Sequence, residues 1–512
     1  MRFGLRDWAG RDPDRPAVVT GGATTSYGEL EAAANRAARL FRAAGLRPGD
    51  HVAVVLGNDP AIFALVWGAY RAGLYLTPVP SGASLADAAY VIRDSTAKLV
   101  VLDARLPISA GLRGAAPDTG RWFSLAGPIE GCEPLEDALA AQSASPCADE
   151  QPGALMMYTS GTTGAPKGVW RPLPADGSGP PPFAGDLLSI FAIEASSRYL
   201  STQPLYHAAA LRFGLAFTAA GGTVHVMPRF DAGAALDLLE RERITHSQWV
   251  PTMFRRLLAL PEARRAAHRA PAHRCALHGA APCPIDLKRA MIRWWGPIVQ
   301  DYYSGSEGVG LSTITSAEWL ERPGSVGRCV KGELHVLGDD DRELPAGEIG
   351  RLYFSGVAPF AYFDAPEKTA ERRSRQGYQT FGDVGFRDAD GYIFLTDRQD
   401  DLIISGGVNI YPQEVERALS AHVDVEDCAV VGLPDDDLGE RAVAFVVLKP
   451  TAPPEPGVRL ALDAHALAAL GRVKRPRELR FVEDLPRSPT GKLLRRELAG
   501  SPPGHGTARH AG

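Results

Sequence analysis

The chain has 512 residues, of which 45% are hydrophobic and 22% charged, with a formal net charge of −5. That length and balance suit a globular protein of about three or four folding units with large apolar cores. The slight acidity provides no general basic field for nucleic acid. Six cysteines (Cys132, Cys147, Cys275, Cys283, Cys329 and Cys428) include no C-x-x-C pair and no zinc spacing. Met1 to Asp7 has no apolar stretch of signal-peptide length, and no run reaches the roughly 18 apolar residues of a membrane span. The reading is of reduced thiols in a cytoplasmic protein with no integral membrane association.

From Leu30 the apolar positions Ala33, Ala37, Leu40 and Phe41 fall at helical spacing, with Gly45 as a C′ residue. Val52 to Leu56 reads as a buried strand. Asn58 or Asp59 caps a helix that ends at Gly73, and Leu74 to Val79 and Lys98 to Leu102 are again strand-like. This alternation predicts a mostly parallel sheet with helices on both faces. Residues 105 to 153 are rich in turn formers and carry no obvious chemistry.

The stretch Tyr158-Thr159-Ser160-Gly161-Thr162-Thr163-Gly164-Ala165-Pro166-Lys167-Gly168 follows a short apolar run. Its glycines let backbone N–H groups close on an anion, and its hydroxyls and ammonium add donors, which is the chemistry of a polyphosphate clamp. The spacing is that of neither a Walker A loop nor a dinucleotide fingerprint.

Arg171 to Pro182 reads as an exposed Pro/Gly-rich excursion. Strands are expected at Tyr199 to Gln203 and Thr223 to Met227, and helices at Ala234 to Glu242 and Gln248 to Leu260. Between 276 and 314 come His278-Gly279-Ala280-Ala281-Pro282 and Tyr302-Tyr303-Ser304-Gly305-Ser306-Glu307-Gly308. Residues 331 to 396 show the short alternating runs of a smaller β-rich unit. After the polar cluster Asp397 to Asp401, a helix at Gln413 to Ser420, strands at Cys428 to Val431 and Ala442 to Leu448, and a helix at Leu460 to Leu470 suggest a separate small domain. The Gly/Pro/His-rich tail has the composition of a disordered segment.

Six segments occur in one order: the glycine loop, the His207 segment, Tyr303 to Glu307, Gly382-Asp383, Asp397 to Glu416, and Pro489-Thr490-Gly491-Lys492. In that order, across roughly residues 15 to 497, the chain resembles the adenylate-forming superfamily of acyl- and aryl-CoA synthetases, carrier-loading adenylation domains and luciferases. Thr245 to Pro251 and Ala280 to Pro284 are similar to bacterial fatty-acyl-CoA synthetases. The resemblance implies an α/β fold. Its large N-terminal domain (1–396) would comprise α/β subdomains and a β-rich subdomain. A small mobile α+β C-terminal domain (397–497) and a disordered tail (498–512) would follow.

It also implies ATP, Mg2+ and CoA as cosubstrates and cofactor, with a small carboxylic acid as substrate. Thr159, Ser160, Gly161, Thr162, Thr163, Gly164 and Lys167 would clamp the phosphates, and Glu307 would hold magnesium, which favours one or two carboxylates plus phosphate and water. Tyr303 would stack on adenine with Gly279 and Ala280 on its other side, and Ser306 stands where the family has threonine. Asp383 would accept the ribose hydroxyls with Arg398 as its companion. Lys492 would bridge carboxylate and α-phosphate, Asp400 would be the hinge, and Gly407 would line the pantetheine tunnel. His207 matches the residue beside the bound carboxylate. After it runs Ala208-Ala209-Ala210-Leu211-Arg212-Phe213-Gly214-Leu215, without the acid that amino-acid-activating relatives carry, so an apolar pocket for fatty, branched, aryl or polycyclic acids is expected. The alternatives are loading of an acyl carrier protein and a non-catalytic nucleotide-binding relative, against which Glu307, Asp383 and Lys492 together argue.

Overall fold

The computed structural model describes residues 4–159, 165–174, 185–398, 401–406, 408–488 and 493–499. The chain divides into one unit of Met1–Gly279, Arg289–Gly308 and Ala358–Glu371, and a second of Ala280–Lys288, Val309–Val357 and Arg372–Gly512.

In the first unit the expected alternation produces two parallel arrays. One has six strands in the order 133–134, 121–125, 97–103, 51–55, 75–78 and 154–155, every neighbour parallel. His51–Val55 is buried at every position because helices cover both faces, which is why it reads as an unbroken apolar run. Helix Tyr27–Ala43 starts at a capping box of Ser26 and Glu29 and packs on helix Ala61–Arg71. A Cβ on Gly68 would meet the Ala37 Cβ at 2.6 Å, so this glycine sets how closely the two helices approach. Arg71 is buried beneath them, donating to Asn35 at 2.5 Å and pairing with Glu31.

The second array runs 299–303, 275–278, 246–249, 198–201, 223–226 and 16–20, all parallel, with 23–26 closing an antiparallel hairpin at its edge. Gln248 and Trp249 belong to strand His246–Trp249, and the helix of this region is Pro251–Leu258. The expected helix from Gln248 is thus corrected: Pro251 takes the first helical position, and Gln248 and Trp249 pair with Leu277 and His278. The turn-rich span 105–153 holds helices Ser109–Ala115 and Leu135–Ala140 around strand Arg121–Leu125. A three-stranded antiparallel sheet joins Met157–Tyr158, Gly168–Trp170 and Ala361–Tyr362.

The second unit contains an antiparallel β-rich sheet of strands 333–337, 350–355, 383–387, 393–398, 325–331 and 311–314. A further sheet of 408–410, 403–405, 439–448 and 425–435, with 478–481 alongside 439–448, packs on helices Pro412–Ser420 and Gly457–Lys474 through Val415, Leu419, Val430, Val446, Leu462 and Ala466. The fold is therefore α/β with mixed sheets. Among the described residues, no helix is long and apolar enough to cross a membrane.

Five histidines of the first unit are held far below their ordinary value, burial being the largest cause in each. His51, His207, His225 and His246 lie at about 4, and His273 at about 3. A histidine kept neutral in this way takes up its proton more readily in the unfolded chain. Its contribution to stability is fully present above about pH 6.5 and is lost as the pH falls toward about 4. The unfolding temperature is expected to hold near neutrality and drop steadily below about pH 6.5; a midpoint unchanged down to about pH 5 would contradict the assignment.

Candidate active site

Strands Arg198–Ser201, His246–Trp249, Cys275–His278 and Val299–Tyr303 lie in parallel register, so the segments leaving their C-terminal ends emerge on one edge. His207, Gly279, Ser306 and Glu307 all stand on those segments.

Glu307 is buried, and its Oε1 accepts a 2.9 Å hydrogen bond from the Tyr362 hydroxyl. Lys167 Nζ lies over the same Tyr362 ring at 5.4 Å from its centre. Tyr362 is delivered by strand Ala361–Tyr362, which pairs with Gly168–Trp170 immediately after Lys167. The Thr159 amide donates to the Lys167 carbonyl at 2.9 Å, closing the base of the glycine-rich loop. Ser160, Gly161, Thr162, Thr163 and Gly164 lie outside the described residues.

Two guanidinium groups contact the segment that carries Glu307. Arg171 donates to the Glu307 carbonyl, and at 3.5 Å to that of Gly308; Arg212 donates to the Ser306 carbonyl at 3.2 Å. A Cβ on Gly308, at φ 61°, would stand 3.6 Å from Arg171 and 3.9 Å from Arg212. Burial pushes Arg212 down to about 10, with Arg171 adding to the fall and Glu307 opposing it. Arg171 is also lowered, chiefly by burial, again opposed by Glu307. Both remain cations at neutral pH.

His207 is the N-cap residue of helix Ala208–Ala220, its amide donating to the Pro204 carbonyl at 3.1 Å. Its Nε2 is enclosed without a hydrogen-bond partner among the described residues, and burial lowers the imidazole to about 4. The ring is therefore neutral at physiological pH, with one nitrogen left to meet a ligand. Gly279 ends its strand where a Cβ would lie 2.8 Å from the Tyr302 carbonyl, so only glycine fits. Tyr302 is a core residue, hydrogen-bonded by Gln248 at 2.6 Å, whereas Tyr303 is half-buried at the strand's end.

In the second unit, Arg398 Nε donates to Asp383 Oδ1 at 3.1 Å between directly paired residues of two antiparallel strands. Gly382 precedes Asp383 at φ 85°, with Arg372 filling the space a Cβ would need. Asp397 is buried and accepts from the Gln413 and Arg398 amides, each at 2.8 Å, so it caps helix Pro412–Ser420 from a neighbouring strand. Burial raises it to about 7. Ala280 takes a left-handed conformation at φ 67°. Asp400, Gly407 and Lys492 lie outside the described residues.

Three residues of these surroundings escape a sequence reading. Tyr362 carries no motif of its own. Arg171 falls at the start of a stretch read as an exposed excursion, and Arg212 sits in a run noticed for lacking an acid. The only local signal was a charge inside an otherwise apolar helix start.

A model described as AMP-binding enzyme matches residues 5–361, and one described as AMP-binding enzyme C-terminal domain matches 414–492. The chain belongs to the AMP-binding enzyme family. A sulfoacetate–CoA ligase of Cupriavidus necator is 34% identical over 519 residues, covering 95% of this chain and 94% of its own. A fatty acid–[acyl-carrier-protein] ligase, ScoC, of Streptomyces coeruleorubidus is 30% identical, covering 96% and 94%. The solved structure of ATP-bound MatB from Rhodopseudomonas palustris matches with a TM-score of 0.82 at 28% identity, over 97% of this chain and 98% of its own. Within its family the chain is an acid–thiol ligase that works through an acyl adenylate, with ATP, Mg2+ and CoA.

Tyr362→Phe keeps the ring over Lys167 and deletes the donor to Glu307. A hydrogen bond to a charged group contributes about 1.5–3 kcal/mol, so kcat/KM for pyrophosphate release is expected to fall about 10- to 100-fold. Equal rates in the variant and the parent would show that the hydroxyl does not serve Glu307.

Proposed function

We propose that Glu307, Lys167, His207, Asp383 and Lys492 carry the ligation of a carboxylic acid to coenzyme A. The observation that carries the reading is the buried Glu307 carboxylate, held by Tyr362 beside Lys167 at the closed base of the phosphate-binding loop. A single carboxylate with an oxygen to spare fits Mg2+, which completes its shell with phosphate and water; bound there, the ion would neutralise charge on the phosphates. Thr159 to Lys167 grip the phosphates, and Ser306 adds a hydroxyl. Tyr303 and Gly279, with Ala280, receive adenine. Asp383, oriented by Arg398, accepts the ribose hydroxyls.

A carboxylate oxygen of the acid attacks the α-phosphorus and the bond to the β-phosphate oxygen breaks, releasing pyrophosphate. The CoA thiol then attacks the acyl carbon, AMP leaves with the carboxylate oxygen, and the thiol proton passes to solvent. Lys492 stabilises charge developing at phosphorus in the first step. Residues 397–497 act as a mobile domain turning at Asp400, bringing Gly407 to the pantetheine arm for the second; helix Arg495–Ala499 runs past the expected start of the tail at 498, with Leu498 in a core cluster. A cytoplasmic location is supported by the cysteine spacings, which include no C-x-x-C pair.

Two observations bear on the acid. Ala208 to Leu211 give the helix start an apolar surface suited to a fatty or aryl acid, whereas Arg171 and Arg212 favour a charged one.

Lys492→Ala is expected to slow adenylation on the order of 10²–10³-fold while thioester formation from supplied acyl-AMP is far less affected. Asp400→Pro should do the reverse, because proline fixes φ near about −65° and stops the rotation. Equal losses in both half-reactions for either variant would remove the two-step assignment. The acceptor is tested by measuring AMP and pyrophosphate with CoA and with a phosphopantetheinylated carrier protein. CoA is expected to give thioester; loading of the carrier alone would establish the carrier-ligase reading, and release of ADP and phosphate would overturn both.

A further inference from the structure

Arg171 and Arg212 are the first unit's unexplained charges. They come from the segment after strand Gly168–Trp170 and from the second turn of helix Ala208–Ala220, and they converge on Ser306 to Gly308. Among the described residues neither makes an ion pair; their partners are backbone carbonyls, and the Glu307 carboxylate is the acid that acts on both electrostatically. Two cations against one carboxylate leave an excess positive charge in a partly buried place. Such an arrangement is costly until an anion enters it. A planar guanidinium presents paired donors that match carboxylate and sulfonate oxygens, so both groups have N–H capacity to offer.

The helix that carries Arg212 is preceded by its N-cap residue His207, whose enclosed Nε2 has no hydrogen-bond partner among the described residues. Five residues separate the two, or about 7.5 Å along a helix axis. The opposite side of this helix is filled. Tyr199 stacks on Phe217 at 4.6 Å, Phe213 meets Tyr302 at 5.7 Å and Phe191 at 5.4 Å, and Gln248 is hydrogen-bonded to both Tyr199 and Tyr302.

We propose that Arg171 and Arg212 form an anion seat for a second acidic group of the substrate, so that the acid activated here is short and dianionic, a dicarboxylate or a sulfocarboxylate. This rests on the ligase reading above. His207 meets the reacting carboxylate and the guanidinium pair meets the far anion.

The test is a panel of acids in matched pairs, assayed for pyrophosphate release with ATP, Mg2+ and CoA: malonate and sulfoacetate against propionate, succinate against butyrate, with octanoate and benzoate as apolar members. The dianionic acids are expected to give the higher kcat/KM within each pair. Arg212→Met and Arg171→Met should cut the dianion-to-monoanion ratio on the order of 10²-fold, mainly through KM for the acid. Circular dichroism and the thermal unfolding midpoint report whether each variant is folded, and the parent panel stands independently of the variants. Preference for propionate, butyrate or octanoate overturns the anion seat and leaves the ligase intact. An unchanged acid ratio with a raised KM for ATP assigns the guanidiniums to the phosphates and overturns it too. No pyrophosphate from any acid overturns the ligase reading and this inference with it.

Discussion

A carboxylate withdrawn from water must be held, and much of the first unit's local order follows from how Glu307 is held. An uncompensated buried charge costs several kcal/mol, more than one hydrogen bond of about 1.5–3 kcal/mol to a charged group can offset. The Tyr362 hydroxyl supplies one such bond, which requires strand Ala361–Tyr362 to pair with Gly168–Trp170. That pairing fixes the strand that follows Lys167, and the Lys167 carbonyl in turn accepts from Thr159. One ionised side chain thus orders three segments that are far apart in sequence.

The parallel sheet supplies the platform. On its buried strands Tyr199, Gln248 and Tyr302 satisfy one another in a row. Past the end of strand Arg198–Ser201, His207 presents an Nε2 without a hydrogen-bond partner among the described residues. The second unit follows a different rule. There the polar contacts run between antiparallel neighbours, Asp383 with Arg398, and from strand to helix, Asp397 with the Gln413 amide.

Much of this was legible in the sequence because burial on two faces writes continuous apolar runs and because caps are local. Gly45, read as the residue that ends the helix through Phe41, acts within a few residues of where it stands. The site motifs were legible as segments in a fixed order along the chain. What could not be read was created by contact at a distance. Arg171 meets Glu307 across 136 residues, and Tyr362 reaches the same glutamate from 55 residues beyond. Gln248 and Trp249 have the spacing of a helix, and only their parallel partners at Leu277 and His278 make them strand. The span 105–153 was unread because its elements are short and half-exposed, which leaves no period to detect.

The edge of the second parallel array has a consequence for synthesis. Val18 pairs with Val224, Tyr27 reaches the carbonyls of Thr218 and Gly222, and Arg15 that of Gly221. Strand Pro16–Thr20 therefore has no partner of its own array, beyond its short hairpin, until about two hundred further residues exist. At roughly 5–20 residues per second a ribosome takes about 10–40 s to make them. For that interval the nascent chain carries an apolar strand with an open edge, and a chaperone has time to reach it before its partner does.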